Sequence, residues 1–107
     1  MKTTNQSTAR HILFLRSLAN EDRIGILKML MEKPMPAQNV EKLFFMEQST
    51  ASYHLNMMRK AGLLDANKVG KKAVYSYIPG SMERLFESFK EYLKVLEVKP
   101  TKNPAVV

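Results

Sequence analysis

The sequence predicts a mainly α-helical fold carrying one β-hairpin, set between a fourth and a fifth helix. Three observations support this. Apolar residues recur at helical spacing in five separate stretches. One segment, Ala73–Ile78, alternates with period two instead, as a strand does. Pro34, Pro36, Gly62, Gly70, Pro79 and Gly80 fall between these stretches, where turns are needed. With 107 residues the chain makes one domain, enough for a modest core but not for a cleft between two domains.

The first helix is expected from Ala9 to Leu18, on the spacing of Ile12, Leu15 and Ala19, with residues 1–8 polar and flexible. Asn20 suits an N-cap, and Glu21 and Asp22 follow in a first turn where the helix dipole favours negative charge. Ile24, Leu27, Leu30 and Met31 form the apolar stripe of the second helix. Lys33-Pro34-Met35-Pro36 stops it, since proline has no N–H for the helical ladder. A short third helix from about Pro36 to Phe44 would bury Val40, Leu43 and Phe44. After a tight break, the fourth runs from Gln48 to Ala61, and Gly62 closes it in the left-handed conformation.

Leu63–Lys68 and Ala73–Ile78 flank Val69-Gly70-Lys71-Lys72 as a two-stranded hairpin with a basic tip. Pro79-Gly80-Ser81 ends it. Met82, Leu85, Phe86, Phe89, Leu93 and Leu96 then mark a long amphipathic fifth helix. Residues 97–107 read as a flexible tail, so the folded domain is expected over 9–96. Two short, closely joined helices followed by a basic hairpin give the order of a winged helix-turn-helix.

Charge narrows the function. Lys and Arg number 17 against 10 Asp and Glu, a net +7, and a small basic domain suits a polyanion such as nucleic acid. No run of apolar residues is long enough to span a membrane, and the polar opening makes a poor signal peptide, so no membrane partner is expected and the location is read as cytoplasmic. The chain has no cysteine, which excludes disulfides, thiolate metal sites and cysteine redox switching. There are no paired carboxylates, no nucleophile beside a base and no phosphate-cradling glycine loop, so an enzyme is not expected.

The fourth helix carries the functional argument. On a 3.6-residue wheel Ala51, Leu55 and Met58 make the buried face. Ser49, Ser52, Tyr53, Asn56 and Lys60 lie opposite, with Arg59 at the edge and no carboxylate among them. Short donors and acceptors suit base edges, while hydroxyls and cations suit phosphates. An ordinary solvated face interleaves glutamate with lysine; this one does not. Gln48, Ser49, Thr50, Ser52, Tyr53, Asn56, Arg59 and Lys60 are therefore the candidate readers of double-stranded DNA. Lys68, Lys71 and Lys72, with Tyr75, are the candidate contacts of the wing.

Other residues read as structural. His54 sits at the flank of the buried face and is expected to pack or hydrogen-bond rather than bind a ligand. His11 is ambiguous. Two histidines far apart with no cysteine make no metal site, so no metal or cofactor is expected. The eight methionines read as core filler. Ile12, Leu15, Leu85, Phe86, Phe89, Tyr92, Leu93 and Leu96 are the candidate subunit interface.

The stretch VEKLFFMEQSTASYHLNMMRKAGLL closely resembles the helix-turn-helix of the ArsR/SmtB winged-helix repressors, whose pattern is LAxxLGLSQSTVSxHLxxLRxAGLV. LANEDRIGIL, upstream, is similar to that family's LADPTRLRIL, and Lys68–Tyr77 to its RRDGRWVYYRL wing. The resemblance spans about Leu15 to Leu96. It implies a homodimer joined through its first and last helices, with paired fourth helices on a near-palindromic operator. It also implies repression of transcription that is relieved when an effector binds.

The departures are informative. Metal-sensing members carry a CxC pair near the start of the third helix, where Pro36–Lys42 has no cysteine, or acid and histidine pairs on the last helix, where Met82–Leu96 has no histidine. Neither that metal chemistry nor thiol switching carries over, and the effector is left unknown. Glu47 stands where a serine N-cap is typical, Phe45 where the turn has glycine, and Tyr53 at a position often filled by arginine. The competing expectation is a winged helix used for protein–protein contact, since fold does not dictate function.

Overall fold

The computed structural model describes residues 6–96, and side chains from Ala9 to Lys94. The elements are α1 (Gln6–Leu18), α2 (Glu21–Glu32), β1 (Met35–Pro36), α3 (Ala37–Leu43), α4 (Gln48–Ala61), β2 (Leu64–Val69), β3 (Lys72–Tyr77) and α5 (Ser81–Leu96). This is the predicted winged helix-turn-helix, with two revisions to its outline. The first helix begins three residues earlier than predicted, at Gln6. Residues 1–5 and 97–107, most of the expected flexible segments, lie outside the described residues.

The second revision is the sheet, which has three strands in the order β1-β3-β2. β1 is only two residues long, with Met35 opposite Tyr75 and Pro36 opposite Val74. A Met-Pro pair has neither the length nor the alternation that reveals a strand. Proline is tolerated there because β1 is an edge, where a missing N–H costs nothing to a further strand. The hairpin itself runs in continuous register from Leu64 opposite Tyr77 to Val69 opposite Lys72. Gly70 alone in its two-residue loop takes a positive φ, +67°, the sign pattern of a type II′ turn.

The core gathers one face of every helix: Phe14 from α1, Ile26, Leu27 and Leu30 from α2, Val40 from α3, Ala51, Leu55 and Met58 from α4 and Leu85 from α5. Leu63 and Leu64 close it beneath the sheet, and Met35 fills it from the edge. Of the other methionines, Met29, Met46 and Met82 pack against this cluster.

The stripe of α2 is rotated from the prediction. Ile24 and Met31 are half exposed, while Arg23, Ile26, Leu27 and Leu30 are the buried set. Positions 23, 26, 27 and 30 have the i, i+3, i+4, i+7 spacing of one helix face. A charged residue at the first of them hid the stripe, because hydropathy alone cannot show that Arg23 finds partners inside. Leu43, predicted to be buried, is likewise half exposed: α3 has only seven residues, and Val40 alone is fully buried. Phe44 instead lays its ring across Gly25, where an added Cβ would come within 2.8 Å of the ring.

Asn20 caps α2 as its position predicts, its Oδ1 accepting from the Arg23 backbone N–H at 3.0 Å. α5 is held at its start by the Tyr77 hydroxyl, which accepts from the Met82 N–H at 3.2 Å. Along its length α5 packs on α1, with Phe14 and Phe86 edge to face at 5.1 Å and His11 tilted over Tyr92 at 4.7 Å and Phe89 at 5.9 Å. Among the described residues no helix is long and apolar enough to cross a membrane.

Candidate nucleic-acid interface

α4 divides into a face that belongs to the core and a face that belongs to solvent. Its buried residues are Ala51, His54, Leu55, Met57, Met58 and Ala61, wider by His54, Met57 and Ala61 than the predicted stripe. Gln48, Ser49, Thr50, Tyr53, Asn56, Arg59 and Lys60 are exposed and Ser52 is half-buried. Tyr53 is the large aromatic of this face, 58 % exposed. Asn56 and Arg59, one turn apart, are linked: the Asn56 Oδ1 accepts from Arg59 Nε at 3.4 Å and Nη2 at 3.3 Å. The Asn56 amide oxygen therefore helps to aim the guanidinium.

The two ends of the helix-turn-helix close with the same pair of backbone hydrogen bonds. After α4, Leu63 donates to the Met58 carbonyl and Gly62 to the Arg59 carbonyl, both at 3.0 Å, with Gly62 at φ +95°. After α3, Met46 donates to Glu41 at 3.0 Å and Phe45 to Lys42 at a longer 3.4 Å. Phe45 itself occupies the left-handed position, at φ +52° and 96 % exposed. The turn residue that the family pattern reserves for glycine is thus a strained phenylalanine with no packing to hold it. Glu47 precedes α4, and its carboxylate accepts no capping hydrogen bond.

Behind the exposed face His54 is fixed from α2. Arg23 Nη1 lies 2.8 Å from His54 Nδ1, while Arg23 Nε and Nη2 both donate to the Arg16 carbonyl, at 3.1 and 2.9 Å. A guanidinium only donates, so Nδ1 must accept and the neutral ring carries its proton on Nε2. Burial, and then the Arg23 charge, hold the His54 pKa below its ordinary value of 6.5, with Asp22 opposing in part. His54 is thus a structural pin between α2, the end of α1 and the reading helix. His11 is structural as well: it is buried against α5, with Nε2 bonded to Ser88 Oγ at 2.9 Å.

Sequence reasoning missed Arg16. It joins Leu13, Tyr53, Asn56, Met57 and Lys60 around a groove of about 170 Å³ between α1 and α4, and so extends the cationic edge of the exposed face. Only the packing of α1 across α4 brings it there; its spacing within α1 carries no such signal. Lys68, Lys71 and Lys72 stand exposed at the hairpin tip. Tyr75 does not join them. It is half-buried, packs on the core and sits opposite Met35 and Ala66, at the sheet centre rather than the tip.

Of the predicted subunit-interface residues, Leu85 is buried in the protomer's own core, and Phe89 and Tyr92 turn their rings on His11. Ile12, Leu15, Phe86 and Leu93 remain between 40 and 48 % exposed. The side chain of Leu96 lies outside the described residues. Among the described residues no group of three or more His, Asp or Glu could hold a metal ion.

This arrangement has known counterparts. The profile of the arsR family of bacterial regulatory proteins matches residues 20–66, from the cap of α2 to the first wing strand. The HTH-type transcriptional regulator NmtR of Mycobacterium tuberculosis is 30% identical over 83 residues, covering 78% of this chain and 69% of that protein. The transcriptional activator HlyU of Vibrio cholerae is 24% identical over 87 residues, 81% of each chain. In fold, the homodimeric winged helix-turn-helix DNA-binding domain Mb0332 of Mycobacterium bovis superposes with a TM-score of 0.64 at 23% identity, over 80% of each chain. The protein is a DNA-binding transcriptional regulator rather than an enzyme, and it belongs to the arsR family.

Proposed function

We propose that the protein acts as a homodimer that sets paired α4 helices in successive major grooves of an inverted-repeat operator and represses transcription without a metal sensor. The observation that carries this reading is the carboxylate-free exposed face of α4. Gln48, Ser49, Thr50, Ser52 and Tyr53 lie in the first two turns, the part of a recognition helix that points into the groove. Asn56, Arg59 and Lys60 follow toward the flank, suited to phosphate, and Lys68, Lys71 and Lys72 supply a second set of phosphate contacts from the wing.

Dimerisation through α1 and α5 is supported by the four half-exposed apolar side chains Ile12, Leu15, Phe86 and Leu93 on those helices. Homodimeric assembly of the Mycobacterium bovis domain lends further support. Repression follows from the family resemblance, whereas HlyU bears the name of an activator.

Selection of bound duplexes from random DNA, with and without a chelator, tests the reading. An enriched inverted repeat retained under chelation is the expected result, and no enrichment overturns it. A reporter with that repeat placed across or upstream of a promoter separates repression from activation.

A further inference from the structure

An open cavity of about 410 Å³ lies away from the reading face, among α1, the turn after α4, the end of β3 and the first half of α5. That volume falls at the lower end of the roughly 300–1,000 Å³ typical of small-molecule sites. Its polar lining is of one kind. Arg10 and Arg84 face it from two helices, and no carboxylate lines it; of the two serines on its wall, Ser81 donates its hydroxyl to the Leu63 carbonyl and Ser88 is bonded to His11. Among the described residues neither arginine has an ion-pair partner. Arg84 spends one N–H on the Pro79 carbonyl at 3.4 Å, leaving the rest of its guanidinium free to donate. At Gly62 the wall is bare backbone: a Cβ there would point at Arg10 Nη1 and Leu85 Cδ1, each 3.9 Å away.

Two guanidinium groups facing one hollow with no acid beside them form a receptor for an oxyanion. The proposed subunit interface leaves it open. Arg10 and Ile12 are two residues apart on α1, as are Arg84 and Phe86 on α5, which places each pair about 160° apart around its helix. The arginines therefore lie on the shoulder of the α1–α5 pair away from the exposed apolar residues.

We propose that this cavity binds a small organic anion bearing a carboxylate or phosphate, and that its occupancy alters DNA binding. The second half rests on the function proposed above. The means are in the connectivity. Gly62 ends the reading helix, and Ile78, whose N–H donates to the Leu63 carbonyl at 2.9 Å, ends the wing. Both line the cavity, so a ligand held by Arg10 and Arg84 ties the far ends of both DNA-binding elements to α1 and α5. Ser88 lies on the same wall, and its hydroxyl is bonded to the buried His11. Binding there therefore also reaches the α1–α5 packing.

The test has two arms. In the first, the 107-residue protein is titrated separately with citrate and with inorganic phosphate, at an ionic strength held constant with chloride, and followed by amide and arginine Nε NMR signals. Saturable shifts at Arg10, Gly62, Arg84 and Ser88 are expected. The probe that saturates identifies the anion class, and affinity should fall at least roughly tenfold in the Arg10→Gln/Arg84→Gln double variant. Both arginines are exposed, so this variant should fold; an unchanged amide spectrum elsewhere confirms it. A non-saturating response to both probes, or equal binding by the double variant, overturns the site.

In the second arm, affinity for a selected duplex is measured with and without the saturating probe. A shift in wild type that is absent in the double variant is expected, and an unchanged wild-type affinity overturns the coupling. If neither protein prefers any duplex, the DNA-reading proposal fails, while the first arm still decides the cavity.

Discussion

α4 and the wing follow one another through Gly62 and are proposed to touch the same DNA, yet they are held by opposite means. Six residues of α4 are buried, spread from Ala51 to its last residue, Ala61. In β2 only Leu64 is buried, and the five residues that follow are exposed. The helix is therefore a rigid body whose aim is set by the core. The hairpin is an arm fixed at its base by Tyr75 and Tyr77, which pack on the core, and exposed at its tip. Sequence-specific contacts need side chains held in place, whereas attraction to phosphates needs only charge within reach. The difference in burial thus matches a division of labour, and substitutions can separate the two.

The largest separation should come from apolar truncation. Leu55 is fully buried in α4, and Leu55→Ala should cost about 2–5 kcal/mol through the forfeited transfer energy and the cavity left behind. Val69, near the hairpin tip, is 62 % exposed, and Val69→Ala should stay within about 0.5 kcal/mol. Urea denaturation of both variants measures the gap. Comparable destabilisation would mean that the wing is as integral to the core as the helix.

Next in size is the pin behind α4. His54→Ala removes the acceptor for Arg23 Nη1 and should cost about 1–3 kcal/mol, because the guanidinium is left buried with its remaining bonds to Arg16 only. The same site sets a pH dependence. His54 is held below 6.5 in the fold, so the folded state favours the neutral ring. Its contribution is fully present above pH 6.5 and is lost as pH falls through the lowered folded value, where the proton must enter at Nδ1 against Arg23. His54→Gln, whose carbonyl can still accept from Arg23, should flatten this part of the stability profile. An unchanged difference between wild type and His54→Gln across that range would remove the pin from the account.

A smaller effect, of opposite sign, belongs to the turn that aims α4. Phe45 holds a left-handed backbone at φ +52° with its side chain in solvent, while Gly62 makes the equivalent turn with no Cβ to oppose it. Phe45→Gly relieves roughly 1–2 kcal/mol of conformational strain, offset in part by glycine's greater freedom when unfolded. A net stabilisation of about 0.5–1 kcal/mol is expected. If DNA affinity falls although stability rises, the phenyl ring contacts the duplex.

Much of this was legible in the sequence, for reasons that differ by element. The bounds of α4 were, because Gly62 and the Ala51, Leu55, Met58 spacing are both local signals. The exposed face followed from the same wheel. What escaped depended on contacts between distant residues. Arg23 looks like a surface residue until the Arg16 carbonyl and His54 are seen around it. β1 exists only because β3 is there to pair with. Arg16 and the paired arginines of the cavity come together through the packing of α1 on α4 and α5, which no spacing along the chain records. Tyr75 was misplaced because alternation identifies a strand without revealing how far along it the core extends.

The smallest effect on stability, and the sharpest on function, should come from the wing tip. Lys71 and Lys72 are exposed at the end of a hairpin whose turn glycine has nothing within 4 Å of its missing Cβ. Lys71→Ala/Lys72→Ala should therefore leave the unfolding free energy within about 0.5 kcal/mol of wild type. If both lysines neutralise phosphates, the slope of log K against log[salt] should flatten by roughly one unit for each phosphate no longer neutralised, with sequence preference unchanged. Tyr53→Ala should do the reverse, lowering the preference for the selected repeat over random duplex while keeping the salt slope. A double-lysine variant that loses sequence preference would show that the wing reads bases, and the division between a rigid reader and a charged arm would have to be abandoned.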